Sequence, residues 1–244
     1  MKKVIVITGG TTGIGFACAE YLLDNGYEVI ITGRSQTNMV NALEKLNQRA
    51  TGIVSDVSNL SEIDELVEKV RVRFNRIDGL FINAGIFKSA SLENTTEEIF
   101  DETMNINFKG SYFMIQKFIP LLNNPSSIVL NTSIVVFKAF ADTSVYTASK
   151  AALESVAKVF NIELASKGIR VNTLSPGVTE SPIQQKSGMN DEAIQNLLTH
   201  FSENSPIGRI LKPNDIAPVL EFLISDKSLV LRNEKIIVDG GTTL

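Results

Sequence analysis

Tyr146 and Lys150 stand four residues apart in Tyr146-Thr-Ala-Ser-Lys150, at the head of an apolar-periodic segment. On a helix, positions i and i+4 share one face, so a phenol and an ammonium placed there can meet. A free tyrosine titrates near 10, and making it a usable acid or base at neutral pH means closing about three pH units, or roughly 4 kcal/mol. A fixed cation nearby supplies part of that by favouring the phenolate. Upstream, Ser133 closes the run Ser127-Ile-Val-Leu-Asn-Thr-Ser133 and adds a hydroxyl able to polarise a carbonyl. Together the three side chains suit the movement of a proton on and off an oxygen. Such spacing is also common on solvated helix faces, so the reading depends on the elements around it.

A β-branched run without alternation over residues 4–7 predicts a strand buried on both faces, as in a parallel sheet. It leads into Thr8-Gly9-Gly10-Thr11-Thr12-Gly13-Ile14-Gly15 and then a helical pattern over 16–25, closed by Gly26. Strand, glycine-rich turn and helix start, in that order, make a phosphate cradle: small residues admit a pyrophosphate to the backbone, and the helix end offers free N–H groups. A second strand, 28–32, ends at Gly33-Arg34-Ser35, where a carboxylate would grip the ribose 2′-hydroxyl of NAD. Instead Arg34 offers a planar cation suited to a 2′-phosphate, Ser35 a donor, and Gly33 room. NADP(H) is therefore the expected cofactor in preference to NAD(H).

Further helices are expected at 37–48 and 61–74, the latter capped by Ser61, and strands at 51–55 and 80–83. Asp56-Val57 and Asn83-Ala84-Gly85 then fall at carboxyl ends of strands, the edge where open parallel sheets bind ligands. Residues 96–122 read as mostly helical and contain Asn105-Ile106-Asn107-Phe108-Lys109-Gly110. A buried Asn inside a helix competes with the backbone for hydrogen bonds, and Asn107 is the candidate for one with a purpose. A fifth strand, 128–132, delivers Ser133, and a helix over 145–167 carries Tyr146 and Lys150. Its apolar set, including Leu153, Val156, Val159 and Phe160, is richer than one core-facing stripe requires and suggests a subunit contact. A sixth strand, 169–174, precedes Ser175-Pro176-Gly177-Val178-Thr179. Residues 180–208 break the alternation around an amphipathic piece at 191–201, an expected substrate lid. His200, the single histidine, lies there without triad or metal-ligand spacing and reads as structural or solvated. A helix from Pro213 to about 225, kinked at Pro218, and a last strand at 235–238 complete the order.

No linker or shift in composition divides the 244 residues, which predicts a single α/β domain. A formal charge of −4 without a Lys/Arg cluster argues against a nucleic-acid surface. The first apolar run stops at Thr8, too short for a signal peptide core or a membrane span. Cys18, the one cysteine, cannot make an internal disulfide, so a cytoplasmic, reducing setting is expected, with a small-molecule substrate and no metal.

Thr8-Gly9-x3-Gly13-x-Gly15, Asp56-Val57, Asn83-Ala84-Gly85, Asn107, Ser133, Tyr146-x3-Lys150, Pro176-Gly177-x-Thr179 and Asp239-Gly240-Gly241 resemble, in order and over essentially the full length, the classical short-chain dehydrogenase/reductase family. The resemblance implies a Rossmann-type, doubly wound parallel sheet of about seven strands with helices on both faces, and a homotetramer or dimer. It implies that Tyr146 is the acid/base and that Lys150 holds the nicotinamide ribose and lowers the phenol's pKa. Ser133 would position the substrate oxygen, and Asn107 would support a water in a proton relay. Gly9, Gly13, Ile14 and Gly15 would line the pyrophosphate, Asp56 and Val57 the adenine, and Thr179 the carboxamide. Thr11, Thr12, Asn83, Ala84, Gly85, Pro176, Gly177 and Val178 would complete the cofactor wall. Two departures bear on the site. Ile82 stands where many relatives carry a second Asn, which puts the usual hydrogen bond at that turn in question. Ile134-Val135-Val136-Phe137 follows Ser133 where many carry small residues; with Ile86, Phe87 and Phe140 it would wall an apolar pocket for an apolar or cyclic ketone or alcohol. An NAD(H)-dependent dehydrogenase and a catalytically silent nucleotide sensor on the same fold are the alternatives.

Overall fold

The computed structural model describes residues 2–244. The β-branched runs form β1 (Val4–Ile7), β2 (Glu28–Gly33), β3 (Thr51–Val54), β4 (Ile77–Ile82), β5 (Leu122–Asn131), β6 (Ile169–Pro176) and β7 (Lys235–Val238). They lie in one sheet in the order β3-β2-β1-β4-β5-β6-β7, each pair parallel. Parallel neighbours need crossovers, and helices supply them. These are α1 (Gly13–Asp24), α2 (Gln36–Lys45), α3 (Leu60–Phe74), α4 (Glu97–Met104), α5 (Ser111–Phe118), α6 (Ser144–Glu163), α7 (Asp191–Asn204) and α8 (Pro213–Ile224). This is the expected Rossmann-type arrangement.

Ile5, Val29, Ile30, Leu80, Phe81, Ile128 and Val129 are fully buried, because both faces of the central strands are covered. One core packs the sheet against α3, α5 and α6, through Leu66, Phe118 and Leu153 among others. The other packs it against α1, α2 and α8, through Leu22, Met39 and Leu220. Each such side chain removed from water contributes roughly 1.5–3 kcal/mol before chain entropy is set against it. The edge strands differ: β3 is half-buried and β7 alternates between exposed and half-buried residues.

Several boundaries depart from the sequence expectation. Ser61 is not the cap of α3; Asn59 is, its Oδ1 accepting from the Ser61 N–H at 3.1 Å and the Ser61 hydroxyl at 2.7 Å. α1 starts at Gly13, so two glycines of the cradle are already helical. The helical stretch after Thr96 is interrupted by a π-helical segment, Asn105–Gly110, between α4 and α5. The helix expected from Pro213 is α8, Pro213–Ile224, with Pro218 inside it.

The chain steps from β1 outward to β2 and β3, then returns to the opposite side of β1 as β4. That reversal opens a crevice at the carboxyl ends of β1 and β4, where a doubly wound sheet takes its ligand. Thr8 stitches its floor, the hydroxyl accepting from the N–H groups of Asn83 and Ala84, both at 2.9 Å.

Candidate active site

The turn after β1 is shaped for a close approach. Gly9 has φ +65°, which disfavours any side chain, and a Cβ on it would stand 3.0 Å from Ala84 Cα. A Cβ on Gly15 would lie 2.3 Å from the Gly9 carbonyl oxygen, so α1 can begin this near the turn only with glycine there. Thr12 makes no side-chain cap, and the first turn of α1 has no carboxylate. By contrast α2, α3, α4 and α7 are closed by Ser35, Asn59, Thr96 and Asn190. The free N–H groups and the positive end of α1 thus face an open crevice, which fits an anionic diphosphate.

Asn83 answers the question raised by Ile82. Its Nδ2 donates to the carbonyls of Thr8 at 2.9 Å and Gly9 at 3.2 Å, and its Oδ1 accepts from Asn131 Nδ2 at 2.8 Å. Ile82 itself is buried in the core. The turn is therefore held without a second Asn.

A cavity of about 500 Å³ runs from this cradle across the sheet edge. Ser133, Tyr146 and Lys150 are on its wall, as are all the predicted cofactor residues except Gly15, which is buried behind Gly9. Arg34 is exposed at the rim and makes no ion pair among the described residues. Ser35 accepts the Asn38 N–H at 3.2 Å as the cap of α2, which leaves its own O–H free to donate. One oxygen of Asp56 accepts from the Ser58 N–H at 2.9 Å and hydroxyl at 2.7 Å.

α6 turns Tyr146 and Lys150 to the same side, with Lys150 Nζ 5.8 Å from the centre of the phenol ring. Lys150 is 4% exposed and donates to the Asn131 carbonyl at 2.7 Å. Burial pushes its amine down to about 8. Burial also pushes the Tyr146 phenol up to about 12, while the Ser133 hydroxyl pulls the other way. The ring keeps some exposure on the cavity side, where water tempers the effect. Burial sets the direction of the phenol's shift, and no attraction from Lys150 enters it. At neutral pH the phenol keeps its proton and Lys150 is mostly charged.

Asn107 is fully buried within the π-helical segment and does not line the cavity. Its Oδ1 accepts from the Ile86 N–H at 2.8 Å, and its Nδ2 donates to the Ile86 carbonyl at 2.9 Å and to Ser149 Oγ at 3.0 Å. The side chain is therefore fully engaged. Its main-chain carbonyl accepts the Ser111 hydroxyl at 2.7 Å.

Beside the phenol the cavity is apolar. Phe87 meets Tyr146 edge-on at 5.1 Å, and Ile86, Ile134, Val135 and Phe140 continue the wall. Val136 and Phe137 do not reach it; Phe137 is 39% exposed on the outside. From the expected lid, Ile183, Met189, Leu197 and Phe201 face the cavity, Phe201 packing on Phe140 at 5.6 Å. His200 is exposed and touches Asn204.

A family model described as Enoyl-(Acyl carrier protein) reductase matches residues 9–243. The 3-oxoacyl-[acyl-carrier-protein] reductase FabG of Thermotoga maritima is 34% identical over 247 residues, covering 99% of this chain and 98% of that protein. The chain belongs to the short-chain dehydrogenase/reductase family. Human Dehydrogenase/reductase SDR family member 4 is 32% identical, over 99% of this chain and 87% of its own. A short-chain dehydrogenase/reductase structure from Brucella melitensis superposes with a TM-score of 0.91 at 28% identity, over 99% of both chains. The actinorhodin polyketide ketoreductase solved with NADPH has the same fold, with a TM-score of 0.91 at 24% identity over 99% of this chain and 97% of its own. The protein is thus an oxidoreductase of carbonyl and alcohol groups that works with a nicotinamide cofactor.

In this short-chain dehydrogenase/reductase, sequence reasoning gave no role to four polar residues that hold the site. Thr8 and Asn131 stitch the strand ends, Ser149 receives Asn107, and buried Gln184 donates to the Thr179 carbonyl at 2.9 Å. Asn131 left a signal: it directly follows the buried apolar run Ile128-Val129-Leu130. Ser149 left none.

Proposed function

We propose that this oxidoreductase uses NADP(H) and transfers a hydride between the nicotinamide and the carbonyl or secondary alcohol carbon of a small, largely apolar substrate, with Tyr146 as acid/base. The observation that carries it is the convergence of Ser133, Tyr146 and Lys150 on one wall of a cavity whose far end is the uncapped start of α1. A bound nicotinamide supplies or accepts the hydride. The chain does the rest. Ser133 and Tyr146 hold the substrate oxygen, and Tyr146 gives its proton to that oxygen as negative charge builds, since an alkoxide is a stronger base than a phenolate. Lys150, tethered to the Asn131 carbonyl, offsets the charge left on the phenolate. In the opposite direction the phenolate removes the alcohol proton. A phenol pushed up to about 12 stays protonated at neutral pH, the form that donates in reduction.

Arg34 and the free O–H of Ser35 would take the 2′-phosphate, Asp56 and Val57 the adenine, and Thr179 the carboxamide. The walls formed by Phe87, Phe140 and Phe201 suit an apolar or cyclic ketone. The buried Cys18 thiol, held protonated by desolvation, suits a reducing compartment, with the cytoplasm as the proposed location. No helix among the described residues is long and apolar enough to cross a membrane. A charge-assisted pair at Arg34 is worth about 1.5–3 kcal/mol, so kcat/KM for NADPH should exceed that for NADH by roughly 10–100-fold, and Arg34→Ala should erase most of the difference. Steady-state kinetics with both cofactors across a panel of apolar and cyclic ketones checks this. A clear NADH preference would overturn the cofactor assignment, and no turnover of any ketone or alcohol would favour a silent nucleotide sensor.

A further inference from the structure

Tyr146 is the third residue of α6, and that helix starts at Thr143 without a side-chain cap. The first turn of a helix lacks intrahelical partners for its N–H groups and frays most readily. Catalytic geometry tolerates little of that looseness, so a phenol placed there has to be tied to another element. Ser149 is fully buried and does hold it. Its hydroxyl donates to the Tyr146 carbonyl at 2.7 Å and accepts from Asn107 Nδ2 at 3.0 Å. Asn107 in turn grips both main-chain groups of Ile86. A buried polar series thus runs from Ile86 through Asn107 and Ser149 to the Tyr146 backbone, and every side-chain donor in it is used. Series of this kind rigidify what they join, and removing one member leaves a buried group unpaired. A serine inside a helix commonly bonds back to the preceding turn with little gain. Here the same hydroxyl is also the partner of an amide N–H from another element.

We infer that Ser149 is a positioning residue of the reaction, setting the phenol of Tyr146 by tying its carbonyl to Asn107. The inference rests on Tyr146 being the acid/base. Ser149 does not line the cavity, so it acts only through its neighbours. Lys150, next in the chain, has a separate tether at the Asn131 carbonyl, so losing Ser149 moves the phenol more than the ammonium.

The test is Ser149→Ala, compared with wild type for melting temperature, NADPH affinity, KM, kcat and the pH dependence of alcohol oxidation. The variant should fold, keep NADPH Kd and substrate KM within about threefold, and lose about tenfold in kcat. Its alkaline limb should move to higher pH, because the phenol draws away from the Ser133 hydroxyl that holds it down. In an Asn107→Ala background the same substitution should cost little more, since both remove one tie. Wild-type kcat with an unmoved pH limb, or a lowered melting temperature alone, overturns the inference. Tyr146→Phe in the same series separates the two levels. If it keeps its turnover, the acid/base reading itself fails; if it loses turnover while Ser149→Ala does not, only the role of Ser149 is lost.

Discussion

At the scale of single residues, the phenol and amine of the site are shifted in opposite directions by one cause. Desolvation penalises the charged form of each, pushing Tyr146 up to about 12 and Lys150 down to about 8. The sign of the pH dependence follows. By the proposed mechanism carbonyl reduction needs a protonated Tyr146 beside a charged Lys150, so it should hold through neutrality and fall as pH rises past about 8, where Lys150 loses its charge. Alcohol oxidation needs the phenolate and should rise toward alkaline pH. Ser133→Ala removes the hydroxyl that lowers the phenol, so the rising limb of oxidation should move further up; a limb that moves down would contradict the assignment. The Tyr146 and Lys150 pair was legible in the chain because spacing alone fixes a shared helix face. The direction of the phenol's shift was not, because it depends on burial by residues such as Phe87, brought in from a distant segment.

Elements decide whether a dinucleotide can approach. α1 starts so near the turn after β1 that a Cβ on Gly15 would meet the Gly9 carbonyl oxygen at 2.3 Å, and backbone cannot yield as a flexible side chain would. Gly15→Ala should therefore weaken NADPH binding by about tenfold or more while the sheet still folds, with the loss read by titration calorimetry and far-ultraviolet dichroism. Wild-type affinity in that variant would show that the close approach is dispensable. Strands and helices were legible wherever β-branched runs or apolar periodicity marked them. The π-helical segment at Asn105–Gly110 was not, since one extra residue in a turn barely disturbs the apolar pattern around it. Asn59 and Ser61 are both good caps two residues apart, and local propensity does not choose between them.

The whole molecule adds a surface that one chain leaves uncovered. On α6, Val159 is 48% exposed and Ile162 80% exposed, on the helix whose other side carries Leu153 and Phe160 in the core. Apolar side chains grouped on one exposed face are expected at a protein contact. The enzyme should therefore sediment as a dimer or tetramer, and Ile162→Glu should shift it toward monomer; a monomeric wild type would contradict this. Sheet order was legible only through the resemblance, because pairing β1 with β4 joins segments that no local pattern connects. The proposed chemistry turns on Tyr146, and the most direct measurement is single-turnover reduction of a ketone by NADPH in Tyr146→Phe beside an NADPH titration. Turnover should fall by about a hundredfold or more with NADPH affinity nearly unchanged. A variant that still reduces the ketone at the wild-type rate would show that the proton comes from somewhere else.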